Sequence, residues 1–182
     1  MKNRSKIRNN SGFTLIEMIV TVTIVAIFAS IAVPSFSQLI RNNKIPTTTN
    51  EFISSMVLAR SEALKRSRDV IVCASTDQLS CNGGTDYSGG WIVYDDCNGD
   101  GSPTAVAVDC NDDNLEEEQE IIKVHNGFDR MFINGTANNI TFLFSGRVAG
   151  NTTFDVGHES EPTVTKKEVT VNRVGRIKSE DP

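Results

Sequence analysis

The sequence lacks the motifs on which most enzymes and cofactor-binding proteins depend. No nucleophile elbow and no glycine-rich phosphate loop is present. The two histidines, His125 and His158, lie far apart in the chain, and we interpret both as ordinary surface or edge residues, with His158 in a loop. The sequence shows no internal repeat, which excludes a repeat architecture. We therefore predict that the protein is not an enzyme and needs no cofactor.

Charge is almost absent from one long stretch near the start of the chain. From Phe13 to Val33 the only ionisable side chain is that of Glu17. An α-helix over 13–33 is about 31 Å long, which matches a hydrocarbon core of about 30 Å. We therefore predict a membrane-spanning helix over 13–33. A carboxylate in such a helix is costly, marks function and needs a positive partner.

The residues before this stretch contain no acidic side chain. Residues 1–12 carry four basic ones: Lys2, Arg4, Lys6 and Arg8. This charge predicts a cytoplasmic N-terminus and an exported chain after the span. An ordinary secretory signal has its small-residue cleavage site after the apolar run, whereas here the small residue, Gly12, precedes it. Cleavage after Gly12 would remove the leader and give Phe13 a new α-amino group, the cation that Glu17 lacks.

The motif Gly12–Glu17 (GFTLIE), with a basic leader before it and an apolar run after it, resembles the prepilin signature of type IV pilins and type II secretion pseudopilins. The resemblance implies that a membrane-embedded prepilin peptidase cuts between Gly12 and Phe13 and methylates the new amino group of Phe13. It also implies that Glu17 aids assembly. The alternative is a signal anchor of a periplasmic binding protein in which this motif is accidental.

Further motifs narrow the resemblance. In chain order they are Leu58–Ala63 (LARSEA), Gly90–Val93 (GWIV), Asp96–Gly101 (DCNGDG), Ile140–Phe142 (ITF) and Val174–Arg176 (VGR). This order resembles that of the GspH/FimT/FimU branch of minor pilins and pseudopilins. The resemblance implies an α+β type IV pilin fold and a subunit that helps to initiate or cap a type IV pilus or type II secretion filament. It also implies an inner-membrane, single-pass protein with a periplasmic C-terminal domain, whose partners are prepilin peptidase and other subunits in the filament tip.

Residues 34–68 are predicted to extend the anchor as an amphipathic helix. We expect a bend at Pro34, and an interruption at Pro46 and the threonines after it, with Thr49 or Asn50 capping the helical segment beyond them. Apolar residues then recur at helical spacing and form the predicted core stripe: Phe52, Ile53, Met56, Val57, Ala59, Ala63 and Leu64. The opposite face is charged and predicted to face solvent: Arg60, Glu62, Lys65, Arg66 and Arg68.

Residues 69–182 change to a strand-like pattern. Short runs rich in β-formers alternate with Gly and Asn turns and predict about eight antiparallel strands in a periplasmic β-domain. The chain of 182 residues has a net charge of −5 and 38% hydrophobic residues, which predicts a globular domain rather than a disordered one.

All four cysteines come after the predicted span: Cys73, Cys81, Cys97 and Cys110. They are therefore expected in an oxidising compartment, where disulfides persist. Three pairings are possible, and we favour Cys73–Cys81 with Cys97–Cys110, since this pairing closes two short loops. A zinc site is the alternative, but no CxxC pair or Cys/His cluster supports it.

Residues 95–120 contain ten acids and no Lys or Arg: Asp95, Asp96, Asp100, Asp109, Asp112, Asp113, Glu116, Glu117, Glu118 and Glu120. We interpret this acidic segment as a solvated loop. The alternatives are a cation site and an electrostatic contact with a neighbouring subunit. Asp96, Asn98 and Asp100 match the start of a calcium-binding EF-hand loop, but its twelfth position is Ala107 rather than glutamate. A hairpin turn is therefore favoured over weak calcium binding.

Five basic residues lie close together near the end of the chain: Lys166, Lys167, Arg173, Arg176 and Lys178. Gly175–Lys178 (GRIK) resembles the Gly-Arg-x-Arg tail through which some FimT-type pilins bind DNA, although lysine replaces the last arginine. DNA capture through phosphate contacts is therefore the alternative function. The competing interpretation is a solvated edge strand, where lysines are common.

Overall fold

The computed structural model describes residues 13–96, 101–103, 107–108, 118–119, 121–159 and 166–181. The chain divides into two compact units, Met1–Ile40 and Arg41–Pro182. Within the described residues, one α-helix is followed by ten β-strands that pair only in antiparallel fashion. The predicted α+β class is therefore confirmed.

The helix, α1, spans Leu15–Arg66. Thr14 caps its start, since the Thr14 hydroxyl accepts a hydrogen bond from the Glu17 N–H at 3.3 Å. Pro34 lies inside α1 rather than at an end, as expected. The helix ends at Arg66, and the next residue, Ser67, takes a left-handed conformation with a φ of 55°.

The predicted interruption at Pro46 is wrong, because α1 continues through this residue and the threonines after it. The Thr47 and Thr49 hydroxyls each donate 2.8 Å hydrogen bonds to helix carbonyls four residues earlier, at Asn43 and Ile45. Neither Thr49 nor Asn50 therefore caps a new helix. Ile45 and Thr49 are both buried. We attribute the continuity to this burial, which outweighs the weak helix propensity of threonine.

The strands are β1 (Val70–Ala74), β2 (Gly90–Asp95), β3 (Ala107–Val108), β4 (Glu118–Gln119), β5 (Ile121–Asn126), β6 (Met131–Gly135), β7 (Asn139–Phe142), β8 (Thr152–His158), β9 (Lys166–Val171) and β10 (Ile177–Glu180). They form one sheet of order β5-β2-β1-β7, a second of order β10-β9-β8-β6 and a separate β3–β4 pair. The described residues thus contain ten strands, two more than the approximately eight that the sequence pattern predicts.

The core of the second unit lies between α1 and the two larger sheets. Phe52, Met56, Ala59 and Ala63 of the predicted stripe are fully buried and belong to one hydrophobic cluster with side chains of both sheets. The Phe52 ring makes edge contacts with three aromatic rings, those of Tyr87, Trp91 and Phe154, at centroid distances of 5.6, 5.1 and 4.9 Å. This aromatic group joins the helix to both sheets.

The buried stripe is narrower than the sequence pattern predicts. Ile53 is half-buried, but the side chains of Val57 and Leu64 are 52% and 51% exposed. These two apolar residues therefore lie outside the core. The apolar spacing alone does not reveal this, since a helix in contact with a sheet buries only the residues that face it.

Candidate functional site

The first candidate site is the start of α1 with the apolar stretch after it. Leu15–Val33 has 19 residues and a mean hydropathy of 2.4, and it is long and apolar enough to cross a membrane. Every side chain in this stretch is exposed, including that of Glu17. A helix that is apolar all round is typical of a segment surrounded by lipid or by other helices. This stretch agrees in length and composition with the predicted span 13–33.

Glu17 lies in the first turn of α1. Its backbone N–H is hydrogen-bonded to the Thr14 hydroxyl, and the helix dipole favours a negative charge at this end. Phe13, the predicted new N-terminal residue, is 82% exposed. Gly12 and the predicted leader 1–12 lie outside the described residues, so the cleavage and methylation sites stay predictions.

The predicted disulfide between Cys73 and Cys81 is present. Cys73 is fully buried in a small second cluster on β1 and β2. The loop between the two cysteines is organised by Asp77, whose carboxylate accepts hydrogen bonds from the Ser80 hydroxyl and from two backbone N–H groups, at 2.6 to 2.9 Å. These hydrogen bonds, that from Ser80 foremost, hold the pKa of Asp77 well below its usual range. Cys97 and Cys110 lie outside the described residues, so their pairing stays a prediction.

The acidic segment begins with a structural carboxylate, which corrects the interpretation of the whole segment as a solvated loop. Asp95, at the end of β2, is buried and contacts the guanidinium groups of Arg66 and Arg68 at 3.2 and 3.4 Å. Arg66 also contacts Glu62 at 2.8 Å, and this hydrogen bond with Arg66 is the main cause of the lowered pKa of Glu62. The network therefore ties the end of α1 to β2, and these charges do not lie on a free solvent face.

The calcium hypothesis concerns the residues just after Asp95. The Asp96 carboxylate accepts a hydrogen bond from the Gly101 N–H at 3.2 Å, and the Tyr94 hydroxyl donates to the Gly101 carbonyl at 3.0 Å. Asn98 and Asp100 lie outside the described residues. In the part of the chain that is described, no three His, Cys, Asp or Glu side chains are grouped as metal ligands. The contacts of Asp96 are those of the favoured turn, and weak calcium binding stays an untested alternative.

The five C-terminal cations do not form one basic surface. Three are lysines paired with acids: Lys166 with Asp155 at 2.9 Å, Lys167 with Asp181 at 2.6 Å and Lys178 with Glu180 at 3.1 Å. Arg173 and Arg176 lie in the turn between β9 and β10 and are exposed. Lys178 lies on β10, an edge strand, as the competing interpretation expects, but that interpretation is wrong for Lys166 and Lys167, because their strand β9 pairs on both sides. DNA binding is neither supported nor tested by this geometry.

The two histidines lie in different environments. His125, on β5, stacks on Trp91 with a ring distance of 4.0 Å, and its Nε2 is 2.6 Å from the Glu51 carboxylate. His158 ends β8 and is only 5% exposed. Its expected position in a surface loop is therefore wrong, since it belongs to a buried strand.

Arg60 makes a structural contact that the sequence pattern does not reveal. The helical pattern places it on the solvent face, but its guanidinium donates hydrogen bonds to the carbonyls of Gly175 and Val174 at 2.8 and 3.3 Å. Gly175 has a φ of +75°, and a Cβ there would clash with the carbonyl oxygen of Gly146. A glycine in a VGR motif is the only sequence signal of this close approach.

Two family descriptions match the sequence. The family described as Type II transport protein GspH matches residues 48–175, and the Prokaryotic N-terminal methylation motif matches residues 7–33. A comparison with curated proteins found no match.

Solved structures share the fold. The type IV minor pilin FimU of Pseudomonas aeruginosa is 18% identical with a TM-score of 0.55, over 78% of this chain and 94% of that one. The minor pseudopilin EpsH from the type 2 secretion system of Vibrio cholerae is 13% identical with a TM-score of 0.51, over 76% of this chain and 97% of that one. At these identities the likeness shows the fold alone, which is the predicted type IV pilin fold.

Proposed function

Because the chain belongs to the GspH family of type II transport proteins, we propose that it is a minor pilin or pseudopilin that helps to initiate or cap a filament. The filament would be that of a type IV pilus or a type II secretion system. One observation carries the proposal: an N-terminal methylation motif matches residues 7–33, over the same stretch as the exposed apolar helix Leu15–Val33.

Processing would convert this helix from a membrane anchor into an assembly element. Prepilin peptidase would cut between Gly12 and Phe13, remove the basic leader and leave a methylated amine at Phe13. Glu17 lies one turn further along the helix. An unpaired carboxylate costs up to about 3 kcal/mol at the centre of a membrane helix and less near an end, where Glu17 lies. Pairing with the amine of its own chain or of a neighbour removes part of this cost, and a neighbour's amine would link two subunits.

The same mechanism defines location and partners. The basic leader predicts a cytoplasmic N-terminus, so that the β-domain would be periplasmic while the helix is in the inner membrane. Assembly would then move the helix from lipid into contact with the helices of other pilin or pseudopilin subunits. We do not propose DNA capture, because three of its five predicted cations are paired with acids.

Intact-mass spectrometry tests the processing step. The full chain would be produced with and without a prepilin peptidase, and only the peptidase sample should lose the first twelve residues. A Gly12→Val variant is the matched control, because a bulky residue before the cut should leave the leader attached. A leader that is still attached in the working assembly would contradict the proposal.

A second experiment tests the role of Glu17. Glu17→Ala should insert into the membrane normally but enter the filament poorly, as measured by its recovery with sheared or purified filaments. Glu159→Ala is the control, because it removes an exposed carboxylate outside the span. Equal recovery of both variants would refute the assembly role of Glu17.

A further inference from the structure

Two turns of the β-domain lie side by side against the helix. The first, residues 143–147, comes after β7 and is closed by a hydrogen bond from the Leu143 N–H to the Arg147 carbonyl at 2.8 Å. The second, residues 172–176, comes after β9 and is closed by a hydrogen bond from the Asn172 N–H to the Arg176 carbonyl at 3.1 Å. A Cβ at Gly146 would lie 3.2 Å from the Leu64 side chain, and the Arg173 carbonyl accepts a 3.1 Å hydrogen bond from the N–H of Val148, next to the first turn. The two turns and this part of α1 therefore form one continuous surface.

Apolar side chains on this surface are exposed. Leu64 is 51%, Phe144 63% and Val174 59% exposed. Leu64 is one of the two stripe residues that the core does not cover. Scattered exposed apolar residues are ordinary, but three on adjacent elements form a patch of the kind that marks an interaction site.

Arginines border the apolar residues. Arg147, Arg173 and Arg176 are exposed, and no carboxylate among the described residues lies within ion-pair distance of them. The paired lysines of the same unit differ in this respect, as Lys166 and Lys167 show. Arginine binds carboxylates in a planar, two-pronged geometry and is enriched with aromatic residues at protein interfaces.

We name this surface the turn face, defined by Leu64, Phe144, Arg147, Arg173, Val174 and Arg176. We propose that the turn face binds the acidic segment 109–120 of a second copy of this chain. That segment contains seven acids, one leucine and no Lys or Arg. The chain therefore carries a basic, partly apolar surface and, in its sequence, an acidic segment with one leucine. A protein partner fits the exposed Phe144 and Val174 better than a phosphate backbone would.

The resulting contact joins two different surfaces, one from each copy. Such a head-to-tail contact does not close on itself, so one contact could join two copies at the end of a filament. The inference thus deepens the proposed function and rests on it for its biological setting. Binding itself requires neither processing nor the membrane span, so the two proposals can fail separately.

The first test measures binding of a fluorescent peptide of residues 109–120, with Cys110→Ser, to the full chain in detergent micelles. The peptide should bind the wild-type chain, and its affinity should fall as added salt screens the charges. R147Q/R173Q/R176Q should bind it at least about tenfold more weakly. The matched control K44Q/K166Q/K167Q also removes three positive charges, but from ion pairs, and should change binding less than about twofold. Equal loss in both variants would overturn the proposal.

The second test asks whether two copies meet head to tail. R147Q/R173Q/R176Q and E116Q/E117Q/E118Q/E120Q should each fail to self-associate by sedimentation, while their mixture should form dimers through one intact contact. A mixture that stays monomeric would overturn the proposal. The proposal would also be overturned if the full chain bound duplex DNA or anionic phospholipid vesicles through the turn face but did not bind the peptide. Normal leader removal in these variants would show that such a failure concerns the turn face alone.

Discussion

The replacement Phe52→Ala should cause a large loss of stability in the second unit. The ring is fully buried and makes edge contacts with Tyr87, Trp91 and Phe154 at 4.9 to 5.6 Å. Truncating a buried phenylalanine costs about 3–5 kcal/mol. Aromatic pairs contribute about 0.5–1.5 kcal/mol each beyond their buried area. Since two of these rings belong to different sheets, relaxation cannot fill the cavity easily, and we expect the upper half of the range, about 4–5 kcal/mol.

The matched control is Val57→Ala, five residues further along the same helix. The sequence pattern places Val57 in the stripe with Phe52, but its side chain is 52% exposed. Since alanine is also the better helix former, this change should alter the free energy of unfolding by no more than about 0.5 kcal/mol.

The assay is urea unfolding of the full chain in detergent, monitored by fluorescence. The chain has one tryptophan, Trp91, which is buried beside Phe52, so the signal reports on this core. The difference in unfolding free energy between the two variants should be at least about 3 kcal/mol. Similar losses in both variants would refute the assignment of the buried helix face.

Three further predictions concern the turn, the disulfide and the charge network. Gly175→Ala should destabilise the fold by more than Gly83→Ala, because both residues have positive φ but only the first added Cβ meets another atom; thermal melting would show the order, and equal shifts would contradict it. Replacing Cys73 and Cys81 by serine should lower the unfolding free energy by about 2–3 kcal/mol in urea, and no loss would contradict this. The pKa of Glu62 is lowered in the folded state, so its contribution to the free energy of unfolding is complete above the ordinary pKa of 4.5 and is lost as the pH falls below that value. In Glu62→Gln this part of the pH dependence should disappear from unfolding curves measured between neutral and acidic pH, and an unchanged pH dependence would contradict the assignment.

Much of the architecture could be predicted because the relevant patterns are local. The absence of charge over 13–33, the change from helical to strand-like period after Arg68 and the position of the first disulfide all depend on neighbouring residues. The prediction failed at Pro46, because the local rule that proline breaks helices takes no account of the tertiary contacts that bury Ile45 and Thr49. Threonine is less than about 1 kcal/mol worse than the best helix former, whereas a proline inside a helix costs about 3 kcal/mol. Burying one isoleucine side chain contributes about 1.5–3 kcal/mol, so the burial of Ile45 and Thr49 together can offset both.

The polar contacts could not be predicted because their partners are distant in sequence. Arg60 and Gly175 are separated by 115 positions, and Arg66 and Asp95 by 29. From the helix pattern alone, Arg60 and Arg66 belong to a charged solvent face. Only the arrangement of the sheets shows that Arg60 supports the turn at Gly175 and that Arg66 neutralises the buried carboxylate of Asp95. The same limit applies to the turn face, which brings together parts of α1 and two turns.

Two hydrophobic patterns within α1 imply two kinds of specificity. The stripe of Phe52 and Met56 selects one rotation of the helix on the sheets, because turning it would expose these side chains. Leu15–Val33 is apolar all round, so neither lipid nor a bundle of helices selects one of its faces strongly. The proposed assembly therefore needs a directional interaction to set the register of this part. Within the described residues of that stretch, the only charged side chain is Glu17, so the proposed assembly assigns the placement of this helix among its neighbours to a single carboxylate.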